Sequence, residues 1–315
     1  MSTSGTAAFN IDLNELVEEA FERAGSELRT GYDLRTARRS LNLLFADWAN
    51  RGVNMWTFEQ HAITLVQGQP TYALPDDTVD LLDHVIRTNA NQPSNQSDLT
   101  ITRISVSTYA TIPNKLTQGR PIQVWIQRLT GQQAKLTAAL QATITASATS
   151  IPVTTLAGVP NAGFIKIDNE LIVYNEVQAA TDTTPALLLN CIRGQDGTVP
   201  STHTSGAALN LVQKNSITVW PTPNDSTTYQ FVYWRMRRIQ DAGTGTSNMD
   251  VPFRFVPCLV AGLAYYLALK VPDGVNRLQI LKQQYDEAWE LAAGEDREKA
   301  ADRLVPRQMF IGSGT

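Results

Sequence analysis

Three histidines, His61, His84 and His203, are the side chains of this sequence best suited to moving protons or ligating a metal near neutral pH. None stands at a metal-ligand spacing from a cysteine, another histidine or a carboxylate, so all three read as surface or strand histidines and no metal is expected. A Ser/His/Asp triad can be assembled from distant residues, but no Gly-x-Ser-x-Gly elbow marks a nucleophile. Phosphate-cradling and dinucleotide-binding glycine loops are absent, and no cofactor is expected. Two carboxylate pairs remain, Asp168 with Glu170 and Asp76 with Asp77. A glycan hydrolase needs two such groups ~5–9 Å apart across a cleft. Turn chemistry accounts for Asp168 and a solvated strand end for Glu170, so no catalytic residue is assigned.

Two arginine clusters are candidates for binding. Arg35, Arg38 and Arg39 edge a helix, and Arg235, Arg237 and Arg238 follow a strand. Either is a solvated face with local ion pairs, or a contact with acidic patches of a neighbouring subunit. DNA ranks third, because the chain carries a net charge of −4 with a pI near 5.5, and tight phosphate binding needs a basic footprint. The turn Arg193-Gly-Gln-Asp-Gly-Thr198, followed by His203 and Gly206, reads as scaffold in which glycines serve tight turns and Asp196 orients local N–H groups.

The 315 residues, 43% hydrophobic and 18% charged, fit a soluble globular class of two domains. The two cysteines, Cys191 and Cys258, read as buried, unbridged residues. The first residues lack the charged and apolar regions of a signal peptide. The most apolar run, Val256 to Leu269, is shorter than the ~20 residues a bilayer requires and reads as a buried core helix.

Asp12 and Glu15 have capping-box spacing before Leu13, Leu16, Val17, Ala20, Phe21 and Ala24, which share a helical face that Gly25 ends. A second helix from Asp33 carries Leu34, Ala37, Leu41, Leu44, Phe45 and Trp48. Late helices follow Pro257 and Pro272, with Asp273 capping the last. Between them the sequence turns to strands. Trp125-Ile-Gln-Arg128 reads as a strand that should run into Asn215 to Trp220. The intervening Thr-, Ala- and Val-rich stretch contains a hairpin, Gly163 to Tyr174, turning at Asp168-Asn169. It reads as an insertion, which is tolerated where chain ends lie close. The expected fold class is α+β: a bundle of N- and C-terminal helices with a small antiparallel β region, plus an inserted all-β domain. The expected domains are 1–130 plus 213–304 as core, 131–212 as the insert and 305–315 as an extended C-terminal docking tail.

The host part resembles the podovirus head-to-tail adaptor family, also called tail accessory factors. The resemblance rests on Phe45-Ala-Asp-Trp-Ala-Asn-Arg-Gly52, Gly68-Gln-Pro-Thr-Tyr-Ala-Leu-Pro75, Gly119-Arg-Pro-Ile-Gln-Val-Trp125, Trp220-Pro-Thr-Pro223 and Leu259 to Ala268, in that order. The insert is similar to small β-modules of phage structural proteins, and a minimal adaptor would lack it. The resemblance implies a non-enzymatic virion protein at the head–tail junction, made in the host cytoplasm. It implies a homo-oligomeric ring of twelve that binds the portal protein on one face and a tail nozzle or needle protein on the other. Genomic DNA would pass through the channel without tight binding. Portal contacts would come from Leu304, Val305, Arg307, Met309 and Phe310, and contacts between subunits from Arg35, Arg38, Arg39, Trp48 and Trp289. The alternatives are a receptor- or carbohydrate-binding tail component and a cell-wall hydrolase.

Overall fold

Asp12 begins the first helix by accepting a hydrogen bond from the Glu15 N–H at 2.9 Å, and Gly25 ends it at φ +85°. The computed structural model describes residues 11–27, 31–52, 55–90, 92, 94–244 and 246–296. Its helices in chain order are α1 (Leu13–Ala24), α2 (Gly31–Asn50), the short α3 (Val106–Ala110), α4 (Val256–Ala268) and α5 (Leu278–Glu295). The α5 helix starts later than the Asp273 cap implies, because Pro272–Arg277 forms a 3-10 segment first. The chain divides into two compact units, residues 1–57 with 239–315, and 58–238.

In the first unit, α1, α2, α4 and α5 share one apolar core. The expected apolar faces of α1 and α2 are the ones buried, with Leu34 only partly covered. The α4 helix is buried almost all round, which its near-continuous apolar sequence requires. Gly262 lets its neighbours come close: a Cβ there would lie 2.9 Å from both Leu44 and Tyr285. Trp48 is fully buried, and its Nε1–H donates to Tyr285 Oη at 3.0 Å, so its one polar atom is satisfied.

The second unit overturns the expectation of a small antiparallel β region beside a helical bundle. Among the described residues the chain has seventeen strands in five sheets, against five helices. Most of the strands that went unread are two to five residues long and rich in Thr, Gln, Ala and Pro, so they offer no long alternating run. One antiparallel sheet orders Phe58–Thr64, Tyr229–Arg237, Thr78–Thr88 and Ser97–Thr100. Another orders Thr71–Ala73, Ser216–Trp220, Gln123–Gln127 and Thr102–Ile104, the last pairing parallel. The two contribute to one core containing Leu65, Tyr72, Val124, Ile217, Phe231 and Tyr233. Gln127 pairs with Ser216 and Gln123 with Trp220, so the strands on either side of residues 131–212 are direct neighbours.

Within 131–212, one sheet orders Glu170–Tyr174, Gly163–Ile167, Ala208–Val212 and Gln133–Ala139. A second orders Glu176–Gln178, Ala186–Leu189 and Ile151–Val153. They enclose a separate cluster that includes Ile151, Ile165, Ile172, Tyr174, Leu188 and Leu209. The hairpin turns at Asp168, whose φ of +51° matches the turn chemistry read from the sequence. Cys191 and Cys258 are both buried and unbridged, and burial pushes each thiol up to about 12.

Candidate functional site

The hairpin delivers Glu170 into the interior, which corrects its reading as a solvated strand end: the residue is 1% exposed. Arg193 grips it with both arms, Nε to Oε1 and Nη2 to Oε2, each at 2.7 Å. The Gly194 N–H reaches Oε1 at 3.1 Å and the Ser201 N–H reaches Oε2 at 3.0 Å. His203, also 1% exposed, bridges Glu170 Oε2 and Asp168 Oδ2 at 2.8 Å each. Burial raises the Glu170 carboxyl, but Arg193, the Ser201 N–H and His203 outweigh it and hold it at about 2. A carboxylate that stays ionised, buried and hydrogen-bonded on both oxygens is a poor general acid and an inaccessible nucleophile. The cluster instead pins the 193–203 loop onto the hairpin. Among the described residues no group of three or more His, Cys, Asp or Glu is placed to hold a metal.

Two members of the second arginine cluster are also consumed internally, while Arg238 is exposed and donates to the backbone carbonyl of Asp76 at 3.0 Å. Arg235, 5% exposed, ion-pairs with Asp77 and with Glu59 at 2.9 Å, and Arg237 reaches Glu59 at 2.7 Å. His61, Arg237 and Arg235 together outweigh burial and hold the Glu59 carboxyl at about 2. Asp196, expected to organise its own turn, pairs with Lys214, which also holds Asp76 at 2.9 Å. Lys214 therefore ties the 194–198 turn to the 76–77 loop, and Gln69 adds a 2.9 Å bond to Gln195. His84 is 8% exposed and neither ring nitrogen has a partner among the described residues, so burial lowers its pKa. His61 lies half-exposed on Phe58–Thr64, the edge strand of the same sheet.

One cavity of about 780 Å³ opens in the second unit. Its walls include Thr71, Ser216, Thr218 and Gln127 from neighbouring strands, and Phe164, Val173 and Val212 from the 131–212 segment. Tyr109 and Trp125 stack at its side, with ring centres 5.0 Å apart. No spacing in the sequence joins these two aromatics, because α3 and its strand meet only through the parallel pairing of Thr102–Ile104.

On the helical unit, Arg35 and Arg39 are exposed on α2, whereas Arg38 is half-buried. Trp48 belongs to its own chain's core and offers no surface to a neighbour. Trp289 is partly buried, with the Arg51 guanidinium 4.8 Å from a ring centre. Leu304, Val305, Arg307, Met309 and Phe310 lie outside the described residues.

A family model for the SU10 adaptor protein matches residues 119–307. The chain belongs to the SU10 adaptor family. The match begins at the Gly119-Arg-Pro121 motif, runs across 131–212 and takes in α4 and α5. Membership gives this adaptor a structural role in a phage, a place in the virion and interactions with other virion components such as portal and tail. No curated protein matches the chain. Among the described residues no helix of the adaptor is long and apolar enough to cross a membrane.

Proposed function

We propose that this adaptor forms a ring beneath the portal, joins capsid to tail and lines the channel through which the genome leaves. One observation carries the reading. The helical unit has a well-filled core yet leaves Tyr32, Leu43, Leu269, Val275, Ile280 and Leu291 between 55% and 77% exposed. Large apolar side chains at the surface of a saturated core are surface for a partner. Subunits that stay together bury ~2,000 Å² or more, and helical faces are suited to supply it. The copy-facing contact narrows to Arg35, Arg39 and their neighbours, with Arg38 and Trp289 at its margin. The acidic balance of the chain suits a channel wall that lets DNA slide past. Twelve subunits and the nozzle or needle partner follow from the resemblance to tail accessory factors.

Residues 131–212 form an inserted module in this reading, supported by the direct pairing of the flanking strands. Residues 305–315, with Leu304, dock on the portal through Met309 and Phe310. Deleting 304–315 is expected to leave a folded protein that no longer joins portal rings in a pull-down. Unchanged capture would overturn the docking role. Negative-stain images are expected to show monomers alone and rings when portal is added, and no ring under either condition would remove the ring itself.

A second reading, a glycan-binding tail component, is favoured by the cavity beside Tyr109 and Trp125, where aromatic faces accompany hydroxyl and amide groups. Titration of the protein with soluble host-wall oligosaccharides, following tryptophan fluorescence, tests it against Trp125→Ala.

A further inference from the structure

The solvent face of α2 presents Tyr32, Arg35, Arg39 and Leu43 in one stripe, since these positions recur at helical spacing. Lys270, just after α4, extends the patch through its contact with Ser40 of α2. The patch is basic and carries no acid of its own. Among the described residues Arg35 and Arg39 form no ion pair, and Lys270 bonds only to Ser40 Oγ, at 2.7 Å. Burial and the Arg39 charge both lower the Lys270 pKa, the sign of neighbouring like charges.

The solvent face of α5 has the opposite character. Ile280, Gln284, Glu287 and Leu291 form its stripe, flanked by Glu290, all exposed. Tyr32 and Leu43 are eleven residues apart, and so are Ile280 and Leu291. Each pair therefore spans ~16 Å along its helix. When the stripes are laid together, the apolar ends meet at both ends. If the helices run the same way, Arg39 falls opposite Glu287, and if they oppose, Arg35 falls beside it.

We propose that the α2 stripe of one copy docks on the α5 stripe of the next copy of this chain. The occupant is a second copy because spacing, apolar ends and charge sign all match within one sequence. Two different faces in contact make a heterologous interface, which repeats head to tail and closes into a ring when the rotation allows. The inference rests on the ring reading above and names its contact.

The test uses the full chain, assembled on portal rings and also concentrated alone, followed by sedimentation velocity. The paired variant Arg35→Glu with Arg39→Glu is expected to weaken self-association at least ~tenfold, as is Glu287→Arg with Glu290→Arg. Combining all four is expected to restore it to within ~threefold of wild type. In a second measurement, Leu43→Cys is joined with Leu291→Cys, or with Ile280→Cys. Because the native cysteines are buried, oxidation should give a ladder of covalent multimers from one of these pairs, and none from Leu43→Cys alone. Assembly that stays at the wild-type level in both charge reversals, or the absence of a ladder from both pairs, overturns the inference and leaves the ring reading standing. A wild type that never self-associates, with or without portal, removes both.

Discussion

The β unit and the helical unit treat charge in opposite ways. In the β unit the buried ions find partners inside the fold: Glu170 with Arg193 and His203, Arg235 with Asp77 and Glu59, Lys214 with Asp76 and Asp196. In the helical unit the core is apolar, and Arg35 and Arg39 point outward with no ion-pair partner among the described residues. In the β unit ion pairs fix loops between strands: Arg193 on Glu170 holds 193–203, and Lys214 holds 194–198 against 76–77. The helices close their core largely with apolar side chains, and the ion pairs that unit does make, Arg23 with Glu19, Arg51 with Asp47 and Arg254 with Glu295, lie toward the surface.

The largest test of this contrast is Glu170→Ala. It strands the Arg193 guanidinium, 6% exposed, and is expected to cost about 3–5 kcal/mol. Hydrogen exchange should rise across 163–203 and stay unchanged in the helices. Equal loosening of both units would break the comparison. Acid should act in the same order. The folded Glu170 carboxyl lies at about 2 against an ordinary 4.5, so its contribution is complete above ~4.5 and lost as pH falls toward 2. By the same bookkeeping that contribution is on the order of 3 kcal/mol. His84, with its pKa lowered, sheds stability at a milder pH, because the unfolded chain takes up the proton first as pH falls through ~6.5. Acid unfolding of His84→Phe should lose the milder phase and keep the stronger one.

Gly262→Ala probes the helical side. The added methyl meets Leu44 and Tyr285 and is expected to cost about 1–3 kcal/mol in thermal unfolding, with exchange rising in α2, α4 and α5 only. Lys214→Met is milder. Its two carboxylate partners reach solvent, at 69% and 42% exposure, so about 1 kcal/mol is expected, with faster exchange confined to 194–198 and 76–77. Asp98→Asn breaks the surface pair with Arg87 and should change stability by less than ~1 kcal/mol in chemical denaturation.

Helices α1, α2 and α4 were legible because their apolar residues run through three or more turns, with caps marking α1 and a proline opening α4. The hairpin at Asp168 was legible from its turn residues. The extent of the sheets was not, since strands such as Gln118–Gly119 and Thr222–Pro223 exist only through a distant partner. Glu170 was misplaced for a related reason. Its neighbours in sequence suggest a strand end, while Arg193 and His203, which justify its burial, lie more than twenty residues away. A buried acid whose partners come from a glycine-rich turn leaves a trace in Arg193-Gly194 and His203, but that trace alone is equally consistent with turn geometry.

Gln127 and Ser216 face each other as rungs of one ladder, so the backbone leaves and rejoins it within ~5 Å. The ladder closes across whatever lies between those rungs, and side-chain ties such as Lys214 to Asp196 and Gln69 to Gln195 then reach across to it. The registration of the frame is therefore set by its own rungs and not by the length of chain looped out between them.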